Sequence, residues 1–118
     1  MPEDSTGFPH SAYCPYFQHV IELIGRRWTA SILRALFAGN GRFSDIARTV
    51  PGLSHRLLSE RLRELIEGGF VAAVAEGRHD IYHLTEQGED LRDIFGQIES
   101  WNTRWYKPDK DTVAVGRA

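Results

Sequence analysis

Ser54, His55, Arg56, Ser59 and Arg63 bring hydroxyls, an imidazole and two guanidinium groups into one short stretch. On a helix, the last four would share a face. Side chains of these kinds hydrogen-bond to the edges of bases, and arginine can donate two parallel bonds to O6 and N7 of a guanine. The opposite positions, Leu57, Leu58, Leu62, Leu65 and Ile66, read as the buried stripe of the same helix. Ser54 is expected to cap it by accepting from a first-turn amide, and Gly68-Gly69 to end it.

Presenting such a helix requires a partner helix and a tight turn. Phe43, Ile46, Ala47 and Val50 recur at helical spacing just upstream, and Pro51-Gly52 cannot continue that helix. The pair reads as a helix-turn-helix. Downstream, FVAAVA and IYHLT are β-prone runs around the polar turn EGRHD, a hairpin placed where a wing would lie.

Two helices precede the motif. The first carries Phe17, Val20, Ile21 and Ile24 and stops at Gly25; the second carries Trp28, Ile32, Leu33, Leu36 and Phe37 and stops at Gly39-Asn40-Gly41. A last helix should start at a Thr85 cap. Along it Leu91, Ile98 and Trp105 repeat every seven residues, with Ile94 and Trp101 between them and Phe95 alongside. Such a stripe suits a dimer seam completed by Phe17 and Val20 of the first helix, the alternative being a helix packed within its own chain. The fold class is therefore mainly α with a small β-hairpin wing: a winged helix-turn-helix with an extra helix at each end forming a dimer interface. Residues 1–12 read as a flexible arm, 13–106 as one domain and 107–118 as a flexible tail.

The net charge of −2 conceals a block structure. Ile24 to Arg63 holds eight arginines against Asp45 and Glu60, whereas Glu64 to Ser100 holds two arginines against nine acids. The basic block coincides with the helix-turn-helix, where it would meet phosphate.

Other chemistries find little support. Histidines 10, 19, 55, 79 and 83 form no metal-binding pair, and Cys14 is the single cysteine, so neither a metal, a cofactor nor an intrachain disulfide is expected. There is no phosphate-binding glycine loop and no nucleophile beside a base, so the chain is not read as an enzyme. Trp28, Phe43 and Trp101 occupy amphipathic positions and are expected to pack rather than stack on bases. With no apolar run long enough for a membrane span and no signal-like N-terminus, no membrane association is expected and a cytoplasmic protein is.

Several segments in order carry a family likeness: Cys14-Pro15, Gly25-Arg26-Arg27-Trp28-Thr29, Gly41 to Ile46, Leu53-Ser54, Leu57-Leu58-Ser59, Leu62 to Leu65, Gly69-Phe70-Val71, Tyr82 to Thr85 with Gly88, and Trp101. Together they resemble the HxlR-type winged-helix transcriptional regulators, from about Cys14 to Trp105. The resemblance implies a homodimeric bacterial regulator of double-stranded DNA, more a repressor than an activator. Its recognition helix would lie in the major groove, with Arg27, Arg42 and Arg78 at phosphates. It also implies that Cys14 could respond to an oxidant or small electrophile, the other reading being an inert thiol at the dimer interface. Two departures stand out: Arg27 occupies a place where the family usually has lysine, and the wing turn is short and half acidic. A winged-helix module that binds a protein partner, or a sensor that does not read DNA, is the alternative from another class.

Overall fold

The computed structural model describes residues 12–106. In order it contains α1 (Pro15–Ile24), α2 (Thr29–Phe37), α3 (Phe43–Thr49), α4 (His55–Glu67), β1 (Val71–Glu76), β2 (His79–Leu84) and α5 (Glu86–Trp105). This is the winged helix-turn-helix order. The arm through residue 11 and the tail from residue 107 lie outside the described residues. No described helix is long and apolar enough to cross a membrane.

Local chemistry sets the boundaries. Pro15 opens α1, where its missing N–H costs nothing. Asn40 closes α2 by donating from both its backbone and its side chain to the Ala35 carbonyl, each at 3.1 Å. Thr85 caps α5: its hydroxyl accepts from the Gly88 amide at 3.1 Å and donates to the Gly69 carbonyl at 2.6 Å. Gly88 must be a glycine because a Cβ there would run into the Phe70 carbonyl oxygen.

The core forms where α2, α3 and α4 meet. Ile32, Leu33, Ile46, Leu58 and Leu65 have no exposed surface, and burying each contributes roughly 1.5 to 3 kcal/mol. Phe70 and Val71 cover one side, and Leu91 and Phe95 of α5 another.

Four expectations change. Ile66, expected in the buried stripe of α4, is 38% exposed, because at about 100° per residue it points some 80° away from Leu58. Leu91, expected in the dimer seam, is buried in the chain's own core. With Phe95 it lies on the side of α5 facing α2, where the Phe37 and Phe95 rings meet edge to face at 5.3 Å. Trp28 does not belong to the face of α2; it precedes the helix with a left-handed backbone, φ 79°. The wing turn is tighter than a five-residue loop, since Glu76 pairs with His79 and leaves only Gly77-Arg78 between the strands. Gly77 makes that possible with φ 66°.

The wing is tied to the helix-turn-helix. Arg42, just before α3, bridges to Ile81 of β2, and the Tyr82 amide donates to the Gly41 carbonyl at 2.8 Å.

Candidate nucleic-acid interface

α4 divides cleanly into two faces. Leu58, Leu62 and Leu65 are buried, whereas Ser54, His55, Arg56, Ser59 and Arg63 are all exposed. The Ser54 hydroxyl accepts from the Leu57 amide at 3.1 Å, leaving its own proton to donate outward. His55 sets its ring edge to face against Phe43 of α3, with centroids 5.4 Å apart, so the imidazole is steadied by packing. Arg56 is 89% exposed and reaches back to Glu60 at 3.4 Å. An exposed pair in water is weak enough to exchange for a stronger acceptor. Arg63 has no carboxylate partner among the described residues.

The turn between α1 and α2 is locked onto this motif. The Trp28 ring lies against Gly52 of the helix-turn-helix turn, and the Arg27 guanidinium sits 5.2 Å from the Trp28 ring centroid. A left-handed non-glycine backbone costs on the order of 1 to 3 kcal/mol, which the surrounding contacts offset. Chief among these is Arg61, whose Nε donates to the Arg27 carbonyl at 3.0 Å while its Nη1 donates to the Glu64 carboxylate at 3.1 Å. Arg26 approaches the same carboxylate at 3.6 Å. Arg61 is only 14% exposed, so it is a structural strut rather than a member of the contact surface. Sequence reasoning counted it with the basic block and missed this role. The only available signal was its i,i+3 spacing to Glu64.

At the wing, Arg42, Phe43, Ser44, Arg78, His79, Asp80 and Tyr82 line an open groove between α3 and the hairpin. Arg42 pairs with Glu76 at 3.4 Å. Arg78, on the exposed turn, has no carboxylate partner among the described residues. Burial, and secondarily the negative Asp80, push the Tyr82 phenol above its ordinary pKa, so it remains a neutral hydrogen-bond donor near neutral pH.

Thus α4 and its Ser54 cap gather five of the residues singled out from the sequence; Arg42 and Arg78 share the wing groove, and Arg27 abuts the motif's turn through Trp28. Two other arginines of the basic block are internally paired: Arg34 with Glu99 at 2.7 Å and Arg48 with Asp45. No group of three or more potential metal-binding side chains occurs among the described residues.

Cys14 lies half-buried just before α1. The two arginines close to it in sequence are engaged elsewhere, Arg26 with Glu64 and Arg27 on Trp28. α1 contains no buried residue, and Phe17, Val20 and Ile21 are exposed. Ile94, Ile98, Trp101 and Trp105 form an exposed apolar stripe on α5.

Comparison with known proteins agrees with this architecture. The HxlR-like helix-turn-helix family matches residues 23–110. The chain is 41% identical to the HTH-type transcriptional regulator YvaP of Bacillus subtilis over 101 residues, covering 83% of this chain and 94% of YvaP. It is 34% identical to the HTH-type transcriptional regulator YodB of the same organism over 103 residues, covering 85% and 91%. The reduced form of YodB superposes with a TM-score of 0.72 at 32% identity, covering 83% of this chain and 99% of YodB. Its quinone-bound form gives 0.71 at 33% identity, covering 79% and 100%.

Proposed function

The chain belongs to the HxlR-like helix-turn-helix family of transcriptional regulators, and from that premise we propose that it binds a two-fold operator in duplex DNA as a homodimer and represses transcription by occupying it. The observation that carries the reading is the outward face of α4. Its polar side chains are exposed and aligned while the opposite face is sealed into the core, so the helix can enter a major groove without disturbing the fold. The groove between α3 and the wing then lies beside the DNA backbone, with Arg78 and Arg42 at phosphates. Arg27 supplies a further cation near the motif's turn.

The exposed apolar surfaces of α1 and α5 support dimerisation. In the proposed dimer, Phe17 and Val20 complete a seam made by Ile94, Ile98, Trp101 and Trp105, all of them exposed in the single chain. Binding to duplex DNA should fall steeply as salt rises, through counterion release. Flat salt dependence for a duplex selected from a random-sequence pool would sink the DNA-binding reading.

Cys14 is the proposed point of chemical response, and the quinone-bound form of YodB supports a small electrophile as effector. Addition of the Cys14 thiolate to a quinone carbon forms an S–C bond and passes an electron pair to the carbonyl oxygen, which takes up a proton. The adduct sits at the start of a helix whose apolar surface is proposed for the seam, where it can alter subunit contact. Cys14→Ser should bind DNA like the parent under reducing conditions and lose the response to quinone. Equal quinone responses from parent and variant would rule Cys14 out as the sensing residue.

A further inference from the structure

Two exposed arginines border the wing groove, and they stand in different electrostatic states. Arg78 has no carboxylate partner among the described residues, whereas Arg42 holds Glu76 at 3.4 Å. The backbone explains why that pair forms. Arg42 bridges Ile81 on β2, Ile81 pairs with Val74 on β1, and Glu76 lies two residues beyond Val74 on the same sheet face. Arg42 therefore reaches diagonally across β2 to the carboxylate. Both side chains are more than half exposed, so water and ions reach the pair and it can open.

A carboxylate accepts from a guanidinium as a phosphate oxygen does, through charge-assisted hydrogen bonds. We propose that Glu76 is an internal competitor for Arg42: it occupies the guanidinium in the free protein and sets how strongly the base of the wing holds the DNA backbone. This rests on the DNA-binding reading above. DNA must exchange one anionic partner of Arg42 for another, so the net gain at this position is smaller than at Arg78. Glu76 has no part in reading bases, and its influence falls on all sequences alike.

The test is a salt series of binding titrations with a mixed-sequence duplex of about 30 base pairs, long enough for a dimer spanning successive helical turns. Glu76→Gln keeps the size and polarity of the side chain while removing its charge. It is expected to tighten binding about three- to fivefold, the upper range for release of an exposed ion pair, with the gain greatest at low salt, where the Arg42–Glu76 pair is least screened. In an Arg42→Ala background the same substitution should change affinity by less than about twofold, because the competed cation is gone. Unchanged affinity for Glu76→Gln overturns the proposal. So does equal tightening in both backgrounds, which would mean simple repulsion between Glu76 and DNA. If the parent protein binds no duplex in a salt-dependent way, the DNA-binding reading fails and this proposal with it; that failure shows in the parent alone. Both substitutions fall at exposed side chains, and unchanged thermal melting of the free variants assigns the differences to binding.

Discussion

Arg56 and Arg78 differ in what they can recognise. In the proposed complex Arg56, in the first turn of α4, would reach a base edge, while Arg78 on the wing turn would contact the backbone. Arg56→Ala should cost about 1 to 3 kcal/mol of operator affinity and relax preference at one base pair per half-site. Arg78→Ala should weaken operator and scrambled duplexes equally and lower the salt slope by about one contact. An unchanged operator-to-scrambled ratio for Arg56→Ala would remove α4 as the reading element. The exposed positions on α4 were legible in the sequence because helical periodicity separates polar from apolar positions. The role of Arg61 was not, because its partner is the Arg27 carbonyl 34 positions away, and a backbone acceptor leaves no mark on residue type.

Caps and turns decide whether each element starts where the interface needs it. Ser54→Ala removes the acceptor for the Leu57 amide and should lower stability by about 1 kcal/mol in a denaturant titration, with Ser54→Asp restoring most of it. Gly88→Ala should be far more disruptive, since the added methyl meets the Phe70 carbonyl at the junction of wing and α5. A melting temperature equal to that of the parent would contradict this packing. The caps Ser54 and Thr85 could be read from the sequence, because a hydroxyl residue before an amphipathic run is a local signal. The length of the wing turn could not: EGRHD is polar throughout, and only cross-strand pairing shows that Glu76 and His79 belong to the strands. Ile66 shows a related limit. Periodicity gives the direction of a stripe, but its width depends on which neighbours are there to cover it.

At the scale of the whole molecule, the order of elements was legible and the division of α5 between buried core and exposed apolar stripe was not. The heptad pattern placed Leu91 with Ile98 and Trp105, yet Leu91 packs inward. Hydrophobic spacing alone cannot tell an intrachain partner from a second copy. The remaining stripe of Ile94, Ile98, Trp101 and Trp105 leads to a direct expectation. Ile98→Asp combined with Trp101→Asp should convert a sedimenting dimer to a monomer and weaken operator binding in the same step. A doubly substituted chain that still sediments as a dimer would move the interface elsewhere. Half-sites of the operator should lie about 10 base pairs apart or a multiple of that, as a two-fold pair of recognition helices requires.

The distribution of the three tryptophans gives this molecule built-in optical probes. Trp28 is half-buried against Gly52 at the turn of the DNA-binding motif, while Trp101 and Trp105 stand largely in water on α5. Indole emission shifts to shorter wavelength as water is removed. Dilution of the unlabelled protein should therefore move the emission of the α5 pair to the red as subunits separate, while Trp28 reports on the motif's turn. With Trp28→Phe or the Trp101→Phe, Trp105→Phe pair, the same cuvette would follow assembly and DNA engagement as separate colours of intrinsic light.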